Sequence, residues 1–149
     1  MVNYELLAEQ LDALTNGVPH LISNLANASS LLWYTLPDLN WAGFYLVEND
    51  VLVLGPFHGK TACIEIPIYR GVCGTAFSRD ETIVVPDVHC FTGHIACDSA
   101  SASEIVIPLH KDGAVVAVMD LDSPMPNRFT REDREGLERF AQVLEKNVF

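Results

Sequence analysis

The sequence predicts an α+β domain: an antiparallel sheet of about six strands, with helices from both ends of the chain packed on one face. Three observations carry this prediction. Apolar residues recur at helical spacing near both ends of the chain, short strand-like segments lie between them, and these segments are joined mostly by hairpin turns. At 149 residues, the chain is expected to form a single domain that spans residues 1–149.

Two helices are predicted before the first strand. The first covers residues 3–16 and ends at Gly17, and the second follows Pro19 and ends before Pro37. Their predicted apolar stripes are Leu6, Leu7, Leu11 and Leu14 in the first helix, and Leu21, Leu25, Ala28 and Leu32 in the second.

The middle of the chain has the composition of strands, with turn residues between them. The predicted strands are residues 40–47, 51–54, 64–68, 82–85, 104–110 and 114–122. Asn49-Asp50 and the segment 111–113 are expected to form hairpin turns, and residues 75–79 a short helix.

A final helix is predicted after Thr130, which suits the N-cap position. Glu132 and Asp133 would interact favourably with the helix dipole in the first turn. The apolar residues of this helix are Leu137, Phe140, Ala141 and Leu144, which fit helical spacing without a miss.

Charge excludes several classes of partner. Nine basic and 20 acidic residues give a net charge of −11, which repels the phosphates of nucleic acids and of anionic membranes. No apolar run is long enough for a membrane helix, and no secretory signal is visible. We therefore expect a cytoplasmic protein, whose four cysteines begin as thiols and form disulfides only transiently.

The segment 88–103 has no periodicity and is expected to be a long loop. It contains His89, Cys90, His94 and Cys97, so a reactive thiol, a metal site and an ordinary surface loop are all open interpretations. The cysteines, at positions 63, 73, 90 and 97, match no structural zinc pattern, which makes the metal interpretation the weakest.

Three acids are expected to cluster near this loop. Asp120 and Asp122 alternate on one strand and so share a face, and counting back from the hairpin turn brings Glu104 to their level. A solvated acidic strand end would have the same composition, but the flanking Val118 and Leu121 indicate a core strand. Like charges in a half-buried site raise at least one pKa, which would leave a proton donor near neutral pH.

Trp41 and Tyr45 lie four residues apart on the first predicted strand and face the same way. They could form the wall of an apolar pocket or simply part of the core. The residues alone do not decide between the two.

Taken together, these segments resemble the free methionine-(R)-sulfoxide reductases over nearly the whole chain. The matching motifs are Trp41-Ala-Gly-Phe-Tyr45, Gly55-Pro-Phe-His-Gly-Lys60, Cys63-Ile-x-Ile-Pro67, Gly71-Val-Cys-Gly-Thr-Ala76, Pro86-Asp-Val88, His94-Ile-Ala-Cys-Asp98, Ser103-Glu-Ile-Val-Ile-Pro108, Asp120-Leu-Asp-Ser123 and Phe129-Thr-x-x-Asp133. The resemblance implies a GAF-like domain with a ligand pocket on the face opposite the terminal helices. It also implies a homodimer that reduces the free amino acid L-methionine (R)-sulfoxide to L-methionine.

The resemblance implies a role for each cysteine. Cys97 matches the catalytic cysteine that becomes a sulfenic acid, Cys63 matches the usual resolving cysteine, and Cys73 matches a third that pairs with Cys97 in some members. Cys90 lies outside these three and is expected to be dispensable. Thioredoxin is the implied reductant, and no bound metal or organic cofactor is implied.

The same resemblance assigns the substrate-binding residues. Trp41 matches the aromatic residue that packs on the substrate methyl group, and Tyr45 shares its face. Glu104, Asp120 and Asp122 match the acids around the sulfoxide oxygen.

Two other functions remain open. A GAF-like module that senses a small molecule would bind its ligand without turnover and would not depend on Cys97. A thiol peroxidase would use Cys97 on a hydroperoxide, but such cysteines usually lie beside an arginine, and no Lys or Arg occurs between Asp80 and His110.

Overall fold

A computed structural model describes residues 1–93 and 98–149 of the chain. The strands are β1 (Trp41–Glu48), β2 (Val51–Gly59), β3 (Glu65–Pro67), β4 (Ile83–Val85), β5 (Ser103–Lys111) and β6 (Ala114–Ser123). The helices are α1 (Tyr4–Thr15), α2 (Leu21–Thr35), α3 (Gly71–Arg79) and α4 (Arg131–Asn147), with one turn of 3₁₀-helix at Val88–Cys90.

The six strands form one antiparallel sheet in the order β3-β2-β1-β6-β5-β4, which confirms the predicted fold class. The first hairpin turns at Asn49 and Asp50, whose φ angles of 49° and 61° are those of a tight hairpin turn. The second turns at Asp112 and Gly113, as predicted. In this strand order, β1 and β6 are neighbours at the centre of the sheet although they lie far apart in sequence.

Helices α1, α2 and α4 cover one face of the sheet and enclose a predominantly apolar core. Alternate residues of β1, β5 and β6 point into it, among them Phe44, Ile105 and Met119, which are all almost completely buried. Helix α3 lies on the opposite face, against a second apolar cluster that includes Tyr45, Val72 and Val118. The N-terminal and C-terminal helices therefore lie on one face of the sheet, as predicted.

Helix α4 forms as its sequence predicts. The Thr130 hydroxyl accepts a hydrogen bond from the Asp133 amide, and the Asp133 carboxylate accepts one from the Thr130 amide, so the two residues form a capping box. The four predicted apolar residues of this helix are all buried. In the described part of the chain, none of the helices is both long and apolar enough to cross a membrane.

Four local predictions were wrong in detail. The buried stripe of α1 is rotated: Leu6 and Leu14 are 48% and 43% exposed, whereas Thr15 is buried because its hydroxyl donates to the Leu11 carbonyl. Leu21 likewise lies partly exposed at the start of α2.

Strand β2 runs on to Gly59 instead of ending at residue 54, because an irregularity in its pairing with β1 accommodates the Gly55-Pro56 step. Helix α3 begins at Gly71 instead of residue 75. Gly71 has φ 65°, a conformation that glycine adopts without strain, and this lets the chain enter the helix directly from β3.

Candidate active site

Three buried carboxyl groups meet on the face of the sheet that carries α3. Glu104 on β5 pairs with Asp122 on β6, and Asp120 lies two residues further along β6, so all three side chains point to the same face. Glu104 and Asp120 are only 6% and 5% exposed. The register confirms the position that counting from the hairpin predicts.

Burial raises the pKa of each of these carboxyl groups well above its ordinary value. Their proximity adds to the effect, because the charge of Asp122 raises the pKa of Glu104 and the charge of Glu104 raises that of Asp120. Each of these groups therefore keeps its proton to a higher pH than an exposed acid does. The cluster can therefore donate a proton to a bound molecule.

The Cys73 thiol contacts the same cluster from the first turn of α3. Its Sγ donates to Oδ2 of Asp120 at 3.4 Å, and the side chain is buried. Gly74 permits this close packing, because a Cβ there would lie 2.7 Å from the Pro67 carbonyl oxygen. Burial, followed by the charge of Asp120, raises the pKa of Cys73 well above its ordinary value, so this sulfur is a neutral thiol.

Stacked aromatic rings form one wall of the cavity. The ring centroids of Trp41 and Tyr45 lie 5.8 Å apart, and Phe57 stacks on the other side of Trp41 at 5.1 Å. The Tyr45 hydroxyl donates to the Cys63 carbonyl at 3.1 Å, which links this wall to the segment that carries Cys63. Trp41 and Tyr45 thus line a cavity as well as belonging to the apolar cluster.

The cysteines are in different chemical states. Cys63 is disulfide-bonded, whereas Cys73 and Cys90 carry free thiols. Cys90 is exposed, where its Sγ lies 3.8 Å from Oδ2 of Asp87, and it is absent from the described lining of the acid-lined cavity. Cys97 and His94 lie outside the described residues.

Asn40 holds the cavity rim in a way that the sequence analysis missed. Its side-chain amide donates to the carboxylate of Asp98 and to the hydroxyl of Ser101, both at 3.0 Å. Asp98 and Ser101 line the cavity, and Asp98 directly follows Cys97 in the chain. Asn40 therefore anchors the segment next to Cys97 to the start of β1. A lone asparagine before a strand carries no periodic signal that reveals such a role.

The acid-lined cavity combines buried acids of raised pKa, a thiol and an apolar wall. Its described lining comprises Trp41, Tyr45, Thr61, Ala62, Ile66, Gly71, Val72, Cys73, Asp98, Ser101, Glu104, Asp120 and Asp122. Lysine and arginine do not occur in that described set. Asp98, at the rim, keeps its negative charge, because the Ala100 amide donates to its carboxylate and lowers its pKa. The cavity thus suits a small, partly apolar molecule that carries a cationic group and accepts a proton.

Comparison with known proteins agrees with this geometry. The GAF domain family model matches residues 10–148. The free methionine-R-sulfoxide reductase of Escherichia coli is 52% identical over 143 residues, which cover 96% of this chain and 87% of that protein.

Two solved structures share the whole fold. The free methionine-R-sulfoxide reductase of Staphylococcus aureus in complex with substrate superimposes with a TM-score of 0.95 at 48% identity, covering 100% of this chain and 97% of that one. The enzyme of Neisseria meningitidis in complex with its substrate has a TM-score of 0.94 at 41% identity, covering 97% and 87% of the two chains. The chain therefore belongs to the GAF domain family and, within it, to the free methionine-R-sulfoxide reductases.

Proposed function

We propose that this protein reduces free L-methionine (R)-sulfoxide to L-methionine, with Cys97 as the nucleophile and the acid-lined cavity as the substrate site. The observation that carries the proposal is the group of buried acids with raised pKa values on β5 and β6, in a chain of this family. A sulfoxide oxygen leaves a sulfur atom readily only when it is protonated, and such a group supplies the proton.

The cavity lining supports a specific orientation of the substrate. The indole of Trp41, with Tyr45 beside it, packs on the methyl and thioether end, which is the apolar part of the molecule. Glu104, Asp120 and Asp122 surround the sulfoxide oxygen. The ionised Asp98 at the rim attracts the ammonium group, which a free amino acid has and a residue within a protein lacks.

The first step oxidises the enzyme and reduces the substrate. The Cys97 sulfur attacks the substrate sulfur and forms a sulfur–sulfur bond, one of the three acids protonates the oxygen, and the sulfur–oxygen bond of the sulfoxide breaks. The oxygen leaves as water, which carries the proton of the acid and the proton of the Cys97 thiol. A water molecule then attacks the Cys97 sulfur, the sulfur–sulfur bond breaks and methionine leaves, so that Cys97 becomes a sulfenic acid. The attacking water returns one proton to the acid, so atoms and charge balance.

The second step forms a disulfide. The Cys63 thiolate attacks the sulfenic acid of Cys97, and the oxygen leaves as water. The disulfide-bonded state of Cys63 supports this role. Cys73, in contrast, is a free thiol that donates to Asp120, an arrangement that favours a supporting role over that of first resolving cysteine.

A thioredoxin-type dithiol then reduces the disulfide by exchange. The 70% exposed Ile64 beside Cys63 supports contact with a protein reductant. Dependence on such a dithiol favours the cytoplasm, where reducing systems keep thiols reduced. The exposed apolar side chains Ile22 and Tyr34 on α2 support assembly into a homodimer.

The test is turnover with each epimer. Reduced protein is mixed with free L-methionine (R)-sulfoxide or (S)-sulfoxide and dithiothreitol, and the methionine formed is quantified. We expect many turnovers with the R epimer, none with Cys97→Ser, and full activity with the matched exposed-thiol control Cys90→Ser. Tight binding of the sulfoxide without any methionine formed would contradict the proposal and indicate a sensor module.

A further inference from the structure

Three metal-ligating atoms converge on one point of the acid-lined cavity. Cys73 Sγ, one oxygen of Glu104 and one of Asp120 lie within 4.8 Å of one another, and all three residues are buried. The Cys73 sulfur lies 3.4 Å from the nearer Asp120 oxygen. In a tetrahedral zinc site, with its usual bond lengths, a sulfur and an oxygen ligand are about 3.5 Å apart. The spacing is therefore that of one edge of a zinc coordination tetrahedron.

The Asp120 carboxyl group at this point lacks one of the partners that buried polar atoms normally have. Its Oδ1 is buried and accepts no hydrogen bond. Asp120 lines the cavity and is only 5% exposed. An unpartnered carboxyl oxygen beside a buried thiol is suited to a cation. Three protein ligands and one water complete a tetrahedral zinc site.

The donor set selects the kind of metal. Mg²⁺ and Ca²⁺ bind oxygen ligands almost exclusively, whereas zinc accepts thiolate and carboxylate ligands together. The ligands come from α3, β5 and β6, at positions 73, 104 and 120. Ligands so scattered in sequence escape a search for cysteine spacing, which is why the sequence analysis found no zinc pattern.

We propose that Cys73, Glu104 and Asp120 bind one zinc ion, and that this ion excludes methionine sulfoxide from the cavity. The ion is an inhibitor here, not a cofactor. The binding site rests on the geometry alone, and the exclusion of substrate rests on the proposed function. Zinc binding releases the protons that these groups hold, so affinity must fall as pH falls.

The test uses the protein in its disulfide form, in which Cys63 is not available as a ligand. Zinc affinity is measured by competition with a chromophoric chelator, and cobalt(II) is added separately to report thiolate coordination by its charge-transfer absorption. We expect one zinc ion per chain in the cavity. We expect Cys73→Ser to weaken it by more than about 100-fold, since even loss of a residue that only supports a ligand costs 10–100-fold.

Two further variants make the result specific. Cys90→Ser removes the other free thiol, which lies with Asp87 and His89 in an exposed group that could hold zinc at the surface. We expect Cys90→Ser to keep both the affinity and the thiolate absorption. Asp120→Asn should weaken binding by more than about 10-fold while its circular dichroism shows a folded protein. Unchanged affinity in Cys73→Ser, or its loss in Cys90→Ser, overturns the proposed site.

Substrate competition separates this inference from the proposed function. Added methionine (R)-sulfoxide should raise the apparent zinc dissociation constant in proportion to its occupancy of the cavity. Metal-free protein that turns over but binds no zinc would refute only the zinc site. Protein that binds zinc through Cys73 but still forms no methionine after the metal has been removed would refute only the reductase proposal.

Discussion

The two faces of the sheet are built from the same strands with opposite chemistry. On β6, Met119 and Leu121 point into the helix-covered core, whereas Asp120 and Asp122 point into the cavity. On β5, Ile105 likewise points into the core and Glu104 into the cavity. The helix-covered face is an ordinary apolar core that supplies stability. The cavity face places acids where water is excluded, which costs stability and raises their pKa values.

Carboxamide variants on the cavity face should show the largest effect. Among Glu104→Gln, Asp120→Asn and Asp122→Asn, we expect at least one to lower turnover of the R epimer by about 10²–10⁴-fold, the range for loss of a general acid. The variant with the largest loss identifies the proton donor. Exposed Glu9→Gln is the matched control and should be fully active. Normal rates in all three cavity variants would remove the acids from the mechanism.

Truncation on the helix-covered face should have the opposite outcome. Phe140 is 1% exposed in the core, so Phe140→Ala should lower the free energy of unfolding by about 3–5 kcal/mol. Chemical denaturation measures this loss. The folded fraction should keep its rate of turnover because the cavity lies across the sheet. A rate that fell as steeply as in the carboxamide variants would show that the two faces are not independent.

The pH dependence of stability should separate the faces further. An acid whose pKa is raised by folding binds its proton more tightly in the folded state. Its contribution is fully present below the unfolded pKa of about 4 and is lost as pH rises towards the folded pKa. Stability measured by denaturation should therefore fall as pH rises from about 4, at up to about 1.4 kcal/mol per pH unit for each such group.

The carboxamide Glu104→Gln tests that slope. The variant cannot lose the proton, so its stability should vary less with pH than that of the wild type. Glu9→Gln makes the same chemical replacement at an exposed position and should keep the wild-type slope. Equal slopes in all three proteins would mean that Glu104 is already ionised in the folded state.

Cys90→Ser should have the smallest effect. The thiol is exposed and contacts only Asp87 among the described residues, at 3.8 Å. We expect a change in unfolding free energy within about 0.5 kcal/mol and unchanged turnover with dithiothreitol. Denaturation and the methionine assay measure these two quantities. A large loss of turnover would assign Cys90 to the thiol chemistry.

Much of the fold could be predicted because local signals agree with the tertiary structure. In α4 the cap, the charges of the first turn and the apolar spacing all indicate the same helix, and the structure agrees with each. In α1 the leucines are spread over more than one side of the helix, so their spacing does not identify the buried side. Ala8 and Thr15 are buried, whereas Leu6 and Leu14 are exposed, because packing against the rest of the molecule decides which side of the helix faces inward.

The candidate site likewise contains features that the sequence predicts and features that it does not. Glu104, Asp120 and Asp122 could be brought together from sequence, because hairpin register is set by counting. The contact between Cys73 and Asp120 could not, since it depends on how α3 packs on the sheet. The anchoring of Asp98 by Asn40 also joins residues far apart in sequence, and no local pattern marks it.

The central claim is that the cavity acids are protonated at neutral pH, and infrared spectroscopy tests it most directly. A carboxylic acid and a carboxylate absorb at separate frequencies, so difference spectra of the wild type against each carboxamide variant report the state of the group removed. We expect a carboxylic acid band at pH 7 that is lost in at least one of the three variants. Difference spectra that contain only carboxylate bands at pH 7 would contradict the claim.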